Sequence, residues 1–381
     1  MKIPLAWRQL THNKVRLLVA VLGISFADIL MFMQLGFLDA LFDSSVILHE
    51  RLNGDIFLIN PQSNSLVAMK SFSRRYLYKS LAVRGVESAS PVYLEFAFWK
   101  NPFNKSSRAI LVLGINPQYK SFNFLNLSKN IQVLKEQDVV LFDEQSRPEF
   151  GAVAEEFRRG KKIITELKGK RVKVAGLFSL GTSFSADGNV LTSDLNFLRI
   201  FNRHRDSIEI GVIKLTPEAD LLTTQQALRQ SLPQTIKVLN RTEFMDFEKQ
   251  YWENSTSIGF IFFLGTTMGF IVGIVIVYQI LYTDVDDHLS EYATLKAMGY
   301  RDLYFVAVIF QEAVILAFLG YLPGVFISIS LYSLTASATS LPMFMTATKS
   351  IVVLVSTIIM CCVSGIIAMN KLKSADPADC F

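Results

Sequence analysis

Four stretches of this sequence are long, apolar and nearly free of charge: 17–38, 258–282, 303–334 and 351–369. A helix needs about 20 residues to cross the hydrocarbon core of a bilayer. Lipid offers no partner for backbone N–H and C=O groups, so each run must close its hydrogen bonds within itself as a helix. Between the first and second runs lies a segment of ordinary soluble composition, 43–255. The fold class predicted is a membrane protein with four transmembrane α-helices and a large α+β domain inserted between spans 1 and 2. The chain then divides into 1–42 (an amphipathic N-terminal helix and the first span), 43–255 (the inserted domain with stalk helices) and 256–381 (spans 2 to 4).

Orientation follows from the charges of short loops. Lys2, Arg8, Lys14 and Arg16 precede the first span with no acid among them. Lys296 and Arg301 lie between the second and third spans, Lys371 and Lys373 follow the fourth, and the connector 335–350 carries only Lys349. Both termini are expected in the cytoplasm and the inserted domain on the opposite side of the membrane. Ser25 and Ala27 have the small-x-small look of a cleavage site. The apolar run continues to Leu38, however, beyond the 7–15-residue core of a signal peptide, so an uncleaved anchor is expected. Trp7, among basic residues in 3–16, suits a helix in the headgroup layer. The third run is longer than one crossing needs, and Gly320, Pro323 and Gly324 interrupt it. One kinked helix is expected. The alternative, two helices and a fifth span, would put Lys371 and Lys373 outside.

The 38 Lys+Arg against 33 Asp+Glu leave a net charge of +5, too mild to argue for nucleic acid. Cys361, Cys362 and Cys380 all lie outside 43–255, so the inserted domain has neither a disulfide framework nor a thiolate metal site. Within it, 55–59, 92–99, 109–115, 139–142, 170–178 and 208–215 read as strands, and 148–159 and 218–232 as helices. The basic run 158–162 reads as a solvated face. Asn240 and Glu243 form a capping box. The helix it opens, 241–252, is expected to run straight into span 2, so that spans 1 and 2 both continue as stalks.

Polar and small residues mark the apolar runs. Asp28 and Gln34 in span 1, and Gln311 and Glu312 in span 3, need partners or water, because an ionisable group at mid-bilayer costs about 2.5–3.5 kcal/mol on insertion scales. A static interhelical hydrogen bond from Asp28, to Gln279, Gln311 or Glu312, is favoured over a contact that changes during a cycle. Gly265, Gly269 and Gly273 form a small-xxx-small stripe that lets another helix approach, from this chain or a second copy.

No G-x-x-x-x-G-K-[ST] occurs, so no phosphate cradle is present. His12, His49, His204 and His288 form no metal-ligand spacing, and no G-x-S-x-G appears. What remains is 284–299, D-V-D-D-H-L-S-E-Y-A-T-L-K-A-M-G, between spans 2 and 3. It reads as one short amphipathic helix: Asp284, Asp287 and Glu291 share a face, Leu289, Tyr292, Ala293 and Ala297 lie mostly opposite, and Gly299 stops it. His288 reads as an interface or solvent residue.

The run E-Y-A-T-L-K-A-M-G-Y (291–300), followed by Gln311-Glu312 in the next span, resembles the signature of FtsX-type permeases, the membrane subunits of MacB-like ABC systems. With G-L-F-S-L-G-T-S-F-S-A-D-G-N-V-L-T-S-D-L-N-F-L-R-I (176–200) and the first span, the sequence is most similar to the DevC-type permeases of cyanobacterial ABC exporters. The resemblance implies a MacB-like fold in the cytoplasmic (inner) membrane of a diderm bacterium. It implies that 284–299 is a coupling helix docked on a cytoplasmic ABC ATPase, through Asp284, Asp287, His288, Leu289, Glu291, Tyr292, Lys296, Ala297, Met298 and Gly299. It further implies ATP and Mg on that partner and none on this chain, a homodimer, a periplasmic membrane fusion protein, and a TolC-like outer-membrane channel. The chain would be no enzyme, and the implied cargo is a lipid, glycolipid or other amphipathic substrate taken from the periplasm or the outer leaflet. Two relatives stay open as alternatives: an FtsX-like signalling permease controlling a cell-wall hydrolase, and Lol-like lipoprotein extraction.

Overall fold

The structure, a computed structural model, describes residues 5–123, 131–288, 291, 294–296 and 298–374. The chain forms two compact units, Met1–Ala40 with Ser257–Thr339 and Met343–Phe381, and Leu41–Thr256 with Ser340–Pro342. The short helix α1 (Leu5–His12) buries Ala6 and Leu10. Asn13 then accepts the Arg16 backbone N–H on its side chain at 3.2 Å, starting α2 (Lys14–Ser45) with a side-chain cap.

In the second unit, α3 (Ile47–Arg51) leads into β1 (Ile56–Ile59), β2 (Phe72–Ser73), α4 (Arg74–Lys79), β3 (Val86–Lys100) and β4 (Ser107–Ile115). Then come β5 (Val139–Asp143), α5 (Val153–Arg158), β6 (Ile163–Leu167), β7 (Lys170–Phe178), β8 (Asn189–Ser193) and α6 (Asp194–Phe201). The unit finishes with β9 (Ser207–Ile208), β10 (Ile210–Leu215), α7 (Leu221–Ser231), β11 (Lys237–Asn240) and α8 (Arg241–Gln250). Nine strands make one mixed sheet in the order β11-β1-β10-β3-β4-β8-β5-β7-β6. The long β3 also meets β6 at Trp99 and Leu167, so six of the strands curl back on themselves. Alternation along β3 sends Tyr93, Ala97 and Trp99 to one apolar cluster and Val92 and Leu94 to another, one on each face.

Local chemistry explains where the elements differ from expectation. The helix expected over 148–159 is divided: a 3₁₀ turn, Pro148–Phe150, ends at Gly151, whose φ of +100° a residue with a Cβ rarely adopts, and α5 starts afresh. The capping box is formed, with Asn240 accepting from Glu243 N at 2.9 Å and Glu243 accepting from Asn240 N at 2.9 Å. The helix it opens does not run into span 2. A π turn, Tyr251–Ser255, and an extended Thr256 (φ −118°, ψ 152°) separate α8 from α9 (Ser257–Asp287). Trp252 in that turn is buried, with its indole N–H donating to Glu248 Oε1 at 2.9 Å. Asp143, fully buried, collects the N–H groups of Leu180 (3.1 Å) and Gly181 (3.0 Å) and the Asn189 amide (2.8 Å), fixing the start of the 180–188 loop.

Glu248 sits in an apolar setting with His49. The carboxylate also accepts from Leu66 N at 2.7 Å and lies 3.8 Å from His49 Nε2. The imidazole stacks edge-on to Phe244, with ring centroids 4.3 Å apart. Burial pushes the Glu248 carboxyl up to about 7 and the His49 imidazole down to about 3, so both favour the neutral form.

The first unit is completed by α9, α10 (Asp302–Thr339) and α11 (Ala347–Ser374). With α2 these are, among the described residues, the four helices long and apolar enough to cross a membrane. The third run is one helix with Pro323 inside it. Small residues bring α2 against its neighbours. A Cβ on Gly269 would touch Met31 at 3.3 Å, one on Gly265 would press the Gln34 amide at 2.5 Å, and one on Gly273 would strike Met360. The glycine stripe therefore packs against α2 and α11 of the same chain. Gly320 faces Ile24, and Gly324 faces Asp28 so closely that an added Cβ would stand 3.0 Å from the Asp28 Cβ. Polar side chains tie the bundle: Ser25 Oγ to Gly320 O (2.8 Å), Ser364 Oγ to Ile274 O (2.9 Å), and Tyr332 Oη to Phe32 O. Lys349, which charge counting would assign to an outer loop, is buried and pairs with Asp39 at 2.9 Å.

Candidate functional site

Among the described residues, the helix expected over 284–299 breaks at His288. Asp284 to Asp287 form the last turn of α9, which closes at His288, where the N–H returns to Asp284 O at 3.2 Å. Glu291 and Thr294–Lys296 are helical in turn. That second piece ends in a Schellman motif, with Tyr300 N–H donating to Leu295 O (3.2 Å) and Gly299 N–H to Lys296 O (3.0 Å). Gly299 has φ +94° with open space around it, so its role is the backbone turn. Leu289, Tyr292 and Ala297 lie outside the described residues.

Of the acids expected to share a face, Asp287 and Glu291 are exposed and Asp284 is not. Asp284 is 4% exposed, on the bundle side of α9, whereas Glu291 and Met298 are exposed. Arg16, at the start of α2, holds the turn: its guanidinium lies 3.6 Å from Asp284 Oδ1 and pairs with Asp287 Oδ2. His288 Nδ1 is 3.8 Å from Asp284 Oδ1, and the His288 ring meets His12 at 6.4 Å. Leu295 packs on Val285, Phe305 and Ile309, which seats the second helical piece on the bundle. Sequence reasoning counted Arg16 only as an orientation charge. The signal that could have found it was an arginine immediately before span 1 and an acidic pair at the end of span 2.

Deeper in the bundle, Asp28 is fully buried and accepts a hydrogen bond from Thr357 Oγ1 at 2.6 Å. Its partner is a hydroxyl on α11, not Gln279, Gln311 or Glu312. Gln279 and Gln311 are exposed on the bundle surface. Glu312 is fully buried, with no hydrogen-bond partner on either carboxylate oxygen among the described residues, and interacts electrostatically with Asp284. Gln34 is half-buried against Gly265. Among the described residues no group of three or more His, Cys, Asp or Glu could hold a metal. The arrangement is an exposed helical segment between two spans, preceded by the end of α9, which one arginine ties to the start of α2.

Residues 257–377 match the family described as FtsX-like permease C-terminal. No curated protein matches the chain. Among solved structures, the chain is similar to the periplasmic region of MacB from Actinobacillus actinomycetemcomitans. The identity is 15% and the TM-score 0.36, over 54% of this chain and 95% of that one. It is also similar to the extracellular domain of the ABC-type transporter YknZ from Gram-positive bacteria, at 15% identity and a TM-score of 0.34, over 49% of this chain and all of that one.

Proposed function

We propose that this protein is the membrane subunit of an ABC exporter, in which a separate cytoplasmic ATPase moves the bundle and the inserted domain responds on the periplasmic face. The observation that carries this reading is the loop between α9 and α10. It lies inside the FtsX-like match and presents an exposed Glu291 and Met298 on a helical piece closed by its own Schellman motif. ATP binding would draw the paired loops of a homodimer together, and Arg16 would pass that movement to α2, which is unbroken from Lys14 to Ser45. The interruption at Thr256 leaves α2 as the better rod of the two. The cargo in this reading is an amphipathic lipid or glycolipid, handed to a membrane fusion protein and an outer-membrane channel. Glu291, Lys296 and Met298 would touch the ATPase, while Asp284 and Asp287 would act through Arg16. Mass spectrometry of partners retained on the detergent-solubilised chain tests the reading. An ABC ATPase with a fusion protein supports export, an ATPase with a cell-wall hydrolase replaces export by signalling, and absence of any ATPase ends the proposal.

A further inference from the structure

Two clefts in the inserted domain meet at Arg205. One, of about 590 Å³, is lined by Ser73, Arg74, Arg75, Tyr78, Arg205 and Asp206. The other, of about 610 Å³, includes Lys135, Arg199, Arg203 and His204. The first arises where the paired strands β2 and β9 bring the start of α4 beside the loop that follows α6, and the second lies along α6 and that same loop.

The guanidinium groups here are held in place yet underused. Arg74 lies over the Tyr78 ring at 5.1 Å and Arg75 over the Tyr76 ring at 4.7 Å, so both planes are fixed before any ligand arrives. Among the described residues, no carboxylate lies within ion-pair distance of Arg74, Arg75 or Arg205. By contrast, Arg199 pairs with Asp138 (2.7 Å) and Arg203 with Glu209 (2.7 Å) and Glu95 (3.5 Å). Asp206 lines the first cleft, and Asp194, 8% exposed, faces Arg74 and Arg205 electrostatically. In each cleft one buried guanidinium nitrogen, Arg74 Nε or Arg199 Nε, has no acceptor among the described residues. A buried donor left unmade is costly, and buried donors in native proteins nearly always have a partner.

We infer that these clefts form a recognition site for a phosphate-bearing anion, with Arg74, Arg75 and Arg205 as its primary contacts. Stacked guanidinium forks match the oxygens of a phosphate in bidentate fashion. Three guanidinium forks offer more donors than the two oxygens of one carboxylate can accept, which favours a phosphate. The clefts, at about 590 and 610 Å³, fall in the size range of small-molecule sites, so an organic phosphate fits better than the bare ion. The inference stands whether or not the loop after α9 meets an ATPase.

The test is calorimetric titration of the detergent-solubilised full-length chain with glycerol 1-phosphate, inorganic phosphate and acetate. Both phosphates should bind saturably and acetate should not. Arg75→Gln with Arg205→Gln should weaken phosphate binding at least about tenfold while leaving the unfolding midpoint in place. Arg75→Lys with Arg205→Lys, which keeps the charge and loses the fork, should weaken it less. Tighter binding of glycerol 1-phosphate identifies an esterified headgroup, and equal binding identifies free phosphate; either result supports the site. No saturable binding of either phosphate, acetate binding as well as phosphate, or unchanged binding in both double variants overturns it.

Discussion

Arg16 Nη1 lies 3.6 Å from Asp284 Oδ1, across the junction between the first span and the end of the second, and the same guanidinium pairs with Asp287. Asp284 is nearly buried, with Arg16 and His288 as its neighbours of opposite or potentially opposite charge. Removing one member of a buried pair strands the other, at a cost of about 3–5 kcal/mol when both are fully desolvated. Arg16 keeps 24% of its side-chain exposure, so Arg16→Gln should cost less, about 1–3 kcal/mol. A denaturation series in detergent measures it. The double variant with Asp284→Asn should recover part of the loss, which a pair of independent residues would not do.

The contact between Asp28 and Thr357 gives a second expectation. Thr357→Val keeps the shape and removes the donor, leaving a fully buried carboxyl with no hydrogen-bond partner among the described residues. It should destabilise the bundle by about 1–3 kcal/mol. Thr357→Ser should stay close to the parent. Equal unfolding midpoints for the two variants would show that the hydroxyl does nothing for Asp28.

Glycine positions in the bundle should differ in tolerance. At Gly320 a new Cβ would stand 2.5 Å from Ile24 Cβ, a branched and stiff neighbour, whereas at Gly269 the nearest atom is 3.3 Å away. Gly320→Ala should therefore cost about 1–3 kcal/mol through overpacking, and Gly269→Ala much less. Unfolding midpoints of the two variants compare them directly.

Much of this architecture is legible in the sequence, because span length and charge are global properties that survive tertiary context. The four runs, the capping box at Asn240 and the stop at Gly299 are each read from chemistry local to the residues concerned. What is not legible depends on which residues meet across helices. Thr357 as the partner of Asp28, Arg16 as the clamp on Asp284 and Lys349 turned onto Asp39 are pairings over long separations, and no single-helix period encodes them. The division of 284–299 is of the same kind. Its acids have helical spacing throughout, but Asp284 is drawn into the bundle by Arg16 while Glu291 stays outside.

The buried pair His49 and Glu248 makes stability depend on pH in two opposed ways. The Glu248 carboxyl is raised by burial from 4.5 to about 7, so the folded state binds its proton more tightly and stability falls as pH rises from 4.5 to 7. The His49 imidazole is lowered by burial from 6.5 to about 3, so the unfolded state binds the proton and stability is lost as pH falls from 6.5 to 3. The terms offset between 4.5 and 6.5. In Glu248→Gln only the histidine effect remains, and the unfolding midpoint should climb steadily from pH 4 to pH 6.5. An unchanged profile would show that neither group titrates with unfolding.

In the proposed function the exposed segment after α9 faces the compartment that holds ATP and is gripped there by an ATPase. Met298, 63% exposed beside the Schellman turn, is the place to ask. The measurement is labelling of Met298→Cys, in a chain whose Cys361, Cys362 and Cys380 are replaced by alanine, with a membrane-impermeant thiol reagent applied to sealed vesicles of either orientation. The account expects labelling only in inside-out vesicles, with protection when the co-purifying ATPase is bound. Labelling from the opposite face, or from the cytoplasmic face with no protection by any ATPase, would contradict it.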